Sequence, residues 1–125
     1  MKNTADKISK ILVVDDEKGV QDLLRSMFEV EGFEVVVAND GIEGVELVKK
    51  DSFVVVFLDV HMPKMQGPEA LKAIKNIRPN QAVVILSSSS DSNLTFEKEA
   101  KNLGALACLY KPVDIEEIMR IVREI

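Results

Sequence analysis

Phe53-Val54-Val55-Val56-Phe57-Leu58-Asp59 is an unbroken apolar run that ends on a carboxylate. Parallel strands buried on both faces read as continuous apolar runs rather than alternating ones, so this stretch predicts a central strand of a parallel sheet. An aspartate closing such a strand needs a partner, because an uncompensated buried charge is costly. The arrangement recurs outward along the chain. Ile11–Val14 ends on Asp15 and Asp16, Val83–Leu86 on Ser87, and Leu106–Tyr110 on Lys111. In an open parallel sheet the strands point one way, and ligands bind in the crevice beyond their carboxyl ends. Three carboxylates, a hydroxyl and an ammonium are therefore expected to meet there. That set suits a divalent cation beside a phosphoryl group.

Helical patterns separate the apolar runs. Glu17–Glu31 places Val20, Leu23, Leu24, Met27 and Phe28 on one face, with Gly32 as its stop. Ile42–Lys50, Gly67–Asn76, Leu94–Leu103 and Ile115–Ile125 repeat the pattern, the last opened by Asp114 as a cap. Phe33–Ala38 reads as a strand nearer the sheet edge. Strand and helix alternate throughout, and right-handed crossovers place helices on both faces. The expected architecture is a three-layer α/β domain with a five-stranded parallel sheet and five helices.

Composition narrows the function. The 125 residues suit one domain, read here as residues 1–125 with a core from about residue 9 and no output domain. A net charge of -5 and the lack of a Lys/Arg cluster argue against direct nucleic-acid binding. No run is long enough to span a membrane, and Met1–Lys10 does not read as a secretory signal. Cys108 is the single cysteine, so no internal disulfide forms, which fits a cytoplasmic location. His61 is the single histidine, which excludes sites built from several imidazoles.

Four motifs in order carry a family resemblance. Asp59-Val60-His61-Met62-Pro63-Lys64-Met65-Gln66-Gly67 resembles the phosphoacceptor segment of response-regulator receiver domains, similar to the chemotaxis regulator of two-component signalling. Val13-Val14-Asp15-Asp16-Glu17 resembles the family's acidic pair, Ser87 takes the place of its Ser/Thr, and Lys111-Pro112 resembles its final strand end. The resemblance implies the flavodoxin-like strand order 2-1-3-4-5, which the handedness rule alone does not supply. It implies that Asp59 accepts a phosphoryl group from a histidine-kinase phosphohistidine or a phosphotransfer protein. Mg²⁺ (or Mn²⁺) is the implied cofactor, held by Asp16, Asp59 and the backbone carbonyl of His61, with Asp15 acting through water. Lys111 would neutralise a phosphoryl oxygen, Ser87 would donate to the phosphorylated state, and Lys111–Pro112 would be cis. The protein would catalyse only its own phosphorylation and dephosphorylation. As a monomer or phosphorylation-linked dimer, it would signal to a downstream protein through residues Asn93–Leu103, Cys108–Tyr110 and Asp114–Ile125.

Other readings stay open at the level of residues. Asp15 or Asp16 could merely cap a helix, and Ser88 competes with Ser87. His61, facing Ser89, could tune water access to an acyl phosphate. Cys108 stands where many receivers carry Tyr or Phe, and Tyr110 does not replace that ring. A phosphorylation-independent scaffold is one alternative function. A small Mg²⁺-dependent phosphatase is another, although it needs a second carboxylate where His61 stands and a cap that no segment supplies.

Overall fold

A computed structural model of the chain describes residues 9–60, 67–88 and 94–125. Among these residues five strands alternate with five helices: β1 (Lys10–Val14), α1 (Lys18–Val30), β2 (Glu34–Ala38), α2 (Gly41–Lys50), β3 (Val55–Asp59), α3 (Gly67–Ile77), β4 (Val83–Ser88), α4 (Leu94–Asn102), β5 (Ala107–Lys111) and α5 (Ile115–Arg123). All pairings are parallel and the order is β2-β1-β3-β4-β5. β1 and β3 lie inside the sheet, and their apolar residues are buried throughout. The weaker Phe33–Ala38 pattern becomes the edge strand β2, as expected.

Side-chain alternation divides the core in two. Leu12, Val14, Val56, Leu58, Val83 and Ile85 pack against α2, α3 and α4 through Val48, Leu71, Ile74 and Ala100. Ile11, Val13, Val55, Phe57, Val84 and Leu86 pack against α1 and α5 through Leu24, Phe28, Ile118 and Val122. Phe28 anchors the second face, stacking on Phe57 at 5.6 Å between ring centroids. Each fully buried side chain of this size contributes about 1.5–3 kcal/mol, so neither layer of helices is dispensable.

Local chemistry sets the element ends. Gly32 stops α1 with φ of 95°, a conformation costly for residues with a Cβ. Asp114 caps α5 by accepting from the Glu116 and Glu117 N–H groups at 3.0 and 3.3 Å. Asp40 caps α2 through Glu43 N–H, while Glu43 reaches back to Asn39 N–H, each at 2.8 Å. Strand β3 starts at Val55, later than the apolar run. Phe53 N–H and C=O are taken instead by the buried Gln81 amide at 3.0 and 2.8 Å. Gly44 is required by packing: a Cβ there would lie 2.8 Å from Val14 Cγ2, so α2 presses directly on β1. No described helix is long and apolar enough to cross a membrane.

Candidate functional site

The ends of β1, β3 and β5 carry the acidic and basic residues. Leu58 packs toward one layer of helices and Phe57 toward the other, so Asp59 falls in register with Phe57. Asp15 follows Val13 and Lys111 follows Leu109 in the same alternation, on the α1/α5 side. The period of two in a strand thus aims three residues, remote in sequence, at one spot above the sheet. Ser87 has the opposite parity; it is buried near the end of β4, one position beyond Leu86, the register partner of Asp59. Ser88 pairs with Lys111 in the strand register.

Lys111 Nζ lies 3.0 Å from Asp15 Oδ2 and 3.4 Å from Asp59 Oδ2, and it also donates to Glu17 Oε1. The Asp15 and Asp59 side chains are 0% and 4% exposed, so the contact is a desolvated ion cluster, not a surface salt bridge. Asp15 uses its two oxygens differently. Oδ1 accepts from Glu17 N–H at 2.8 Å and shapes the turn between β1 and α1. Oδ2 is buried and faces Lys111 without hydrogen-bond alignment. The helix-cap reading of Asp15 is half right: it orders the turn, but the N-cap residue is Glu17.

Burial pushes the Asp15 carboxyl up from 3.8 to about 6; the Asp59 charge adds to this, and the Glu17 N–H and Lys111 only partly oppose it. Burial works against the Lys111 ammonium as well. Its hydrogen bond to Glu17, with the nearby carboxylates of Asp15 and Asp59, outweighs that and holds its pKa above the ordinary lysine value. Lys111 therefore remains a fixed positive charge throughout the neutral range.

The surrounding loops are tied down. Gln21 Nε2 donates to the Asp15 carbonyl at 2.5 Å and to Asn39 Oδ1 at 2.9 Å, linking α1 to the loops after β1 and β2. Asp15 N–H continues the sheet ladder to Ala38 C=O at 3.1 Å. The Lys111–Pro112 peptide is cis, as the resemblance implied. A groove of about 500 Å³, lined in part by Gly19, Val20, Leu23 and Val113, opens beside Glu17 and Lys111.

Carboxylate oxygens of Asp15, Glu17 and Asp59 all lie within 4.8 Å of one another. Oxygen donors of this kind suit a hard cation such as Mg²⁺, and the buried Asp15 Oδ2 without a hydrogen bond is an atom a cation would satisfy. The donor set fits the ion. Asp16 is solvent-exposed and stands outside this group, whereas Glu17, not singled out from the sequence, stands inside it. Its only signal was adjacency to the acidic pair; the reach to Lys111 is a product of the fold. His61 and Ser89 lie outside the described residues.

A sequence model of the response regulator receiver domain matches residues 11–123. Sporulation initiation phosphotransferase F of Bacillus subtilis is 37% identical over 115 residues, covering 92% of this chain and 91% of that protein. Transcriptional regulatory protein CpxR of Escherichia coli is 35% identical over 118 residues, covering 94% of this chain and 49% of that protein. A CheY-like receiver domain from Methanospirillum hungatei superimposes with a TM-score of 0.88 at 27% identity, over 94% of this chain and 93% of that one.

Proposed function

The chain belongs to the response-regulator receiver domain family of two-component signalling, and from that premise we propose that Asp59 is its phosphoacceptor. One observation carries the assignment. Asp59 is the buried carboxylate at the end of central strand β3, and Lys111 Nζ stands 3.4 Å from its Oδ2. A nucleophile beside a fixed cation is what transfer of an anionic phosphoryl group requires.

In the proposed reaction an Asp59 carboxylate oxygen attacks phosphorus. The bond from phosphorus to the donor's leaving atom breaks, and that atom keeps the electron pair. With a partner phosphohistidine the leaving atom is an imidazole nitrogen. Lys111 keeps its proton throughout and offsets negative charge on a phosphoryl oxygen. The Ser87 hydroxyl donates to the phosphoryl group once it is on Asp59, drawing the end of β4 toward the site.

Mg²⁺, when bound, screens the repulsion between the carboxylate and the incoming phosphoryl group. The family resemblance supports Asp59, Asp16 and the backbone carbonyl of His61 as the ligands that would hold the ion, with Asp15 acting through water. Asp16 stands outside the carboxylate group formed by Asp15, Glu17 and Asp59. Burial of Asp15 beside Asp59 supports a cation here, since two carboxylates so placed repel when both are ionised. The proposed donors are a histidine kinase or phosphotransfer protein. The proposed output is a change in protein–protein contact at α4, β5 and α5.

Intact-mass spectrometry after incubation with acetyl phosphate tests the assignment. A single phosphoryl adduct is expected with Mg²⁺ present, and none with chelator or in Asp59→Asn. An adduct of equal yield in Asp59→Asn would move the acceptor elsewhere.

A further inference from the structure

Lys111 and Glu17 are 94 positions apart, yet the carboxylate of Glu17 accepts a hydrogen bond from the Lys111 ammonium. The ammonium also hydrogen-bonds Asp59 and contacts Asp15 at 3.0 Å. An ammonium has three N–H donors and no acceptor; two are given to Glu17 and Asp59, and Nζ is also in ion-pair contact with Asp15. A phosphoryl oxygen arriving at Asp59 must therefore enter a shell of three carboxylates that already surrounds Lys111.

The three carboxylates differ in what they would lose. The Asp15 and Asp59 side chains are almost fully buried, and either would be left as an uncompensated charge in a poorly solvated place. Glu17 has a side chain 58% exposed, so water replaces the lysine at little cost. Glu17 is also the N-cap residue of α1 without making a side-chain cap, so its departure removes no helix-terminal bond. Lys111 itself is only 16% exposed, so it stays where it is while its outermost partner changes.

We propose that Glu17 is the exchangeable partner of Lys111: it holds the ammonium in the unmodified site and yields it to a phosphoryl oxygen at Asp59. The inference rests on the reading of Asp59 as phosphoacceptor. Glu17 is a positioning residue that acts through Lys111 and does not touch phosphorus. No covalent bond changes in the exchange; one hydrogen bond replaces another, and Lys111 keeps its proton. Because Glu17 competes with the phosphoryl group, it lowers the affinity of the site for that group.

The test uses beryllofluoride, a non-covalent phosphoryl mimic, titrated calorimetrically into the whole chain at saturating Mg²⁺. Wild type, Glu17→Gln and Glu17→Asp are compared. Glu17→Gln is expected to bind about 1.5- to fivefold more tightly, the range of an exposed ion pair. Glu17→Asp keeps the charge but withdraws the carboxylate by one methylene, and it is expected to behave like Glu17→Gln. If Glu17→Asp binds like wild type, Glu17 acts by charge alone and the exchange is overturned. Titration with Mg²⁺ alone adds a separate readout. Severalfold weaker Mg²⁺ binding in both variants, with no gain in beryllofluoride affinity, would make Glu17 a metal carboxylate and equally overturn the exchange. Failure of wild type itself to bind beryllofluoride overturns the phosphoacceptor reading and the exchange together, whereas normal wild-type binding with no gain in either variant overturns the exchange alone.

Discussion

Lys111 at the end of β5 stands 3.0 Å from Asp15 at the end of β1, although β3 and β4 lie between their strands in the sheet. The long lysine side chain spans that gap, and the buried carboxylate at its tip cannot exchange the contact for water. The same ammonium lies 3.4 Å from Asp59 at the end of β3, which makes the charge state of Asp15 a property of the whole fold.

That charge state predicts a pH dependence of stability. The Asp15 pKa is raised by burial from 3.8 to about 6 in the folded protein, so the folded state binds the proton more tightly than the unfolded chain does. The contribution from this group is fully present below about pH 4 and is lost as pH rises through about 6. In chelator, Asp15→Asn is expected to be more stable than wild type at pH 7.5 by about 1–2 kcal/mol, with a smaller gap at pH 5. Urea unfolding at the two pH values measures it; a variant less stable than wild type at pH 7.5 contradicts the account.

Metal should act in the opposite sense to that strain. A cation that binds the folded acidic cluster and not the unfolded chain stabilises by mass action, about 2.7 kcal/mol at a hundredfold excess over Kd. Thermal melts at pH 7.5 are expected to shift upward with added Mg²⁺ and to return with chelator. The shift should be reduced in Asp59→Asn. Equal Mg²⁺ shifts in both proteins would place the ion away from Asp59.

Gly44→Ala pits helix propensity against packing. Alanine favours a helix interior by up to about 1 kcal/mol over glycine. Its Cβ would meet Val14 Cγ2 at 2.8 Å, closer than carbon atoms tolerate, and Cγ1 at a tight 3.1 Å, so the branched Val14 side chain must shift. Net destabilisation of about 1–3 kcal/mol is expected. Adding Val14→Ala removes the obstructing methyls, so the double variant should lose less than the sum of the two single losses.

Gln81→Ala removes an amide that pairs with both polar groups of the Phe53 backbone, in a place where Gln81 is only 4% exposed. Leaving a buried N–H and C=O unpaired is expected to cost about 2–4 kcal/mol. Hydrogen exchange at Phe53 should quicken more than at Leu58, in the middle of the sheet. Uniform acceleration across β3 would mean that the amide merely contributes to global stability.

The extent to which the sequence was legible followed from which interactions are local. Continuous apolar runs identified β1, β3 and β4, because burial on both faces leaves no room for polar alternation. Ends were less legible. Phe53 looked like strand and is not, because a glutamine 28 positions away takes its backbone bonds. Gly44 lies inside α2, where glycine is disfavoured, and only the approach of Val14 shows why a side chain is crowded there.

The sequence by itself determined the alternation of strands and helices, the parallel sheet and the placement of Asp15, Asp59, Ser87 and Lys111 at strand ends. Apolar periodicity and strand polarity are written in neighbouring residues. Only the tertiary structure decided that Glu17 rather than Asp16 faces Lys111, and that Asp15 is buried deeply enough to hold its proton to about pH 6. Both depend on desolvation and on distances between strands, and those exist only once the chain has closed over the site.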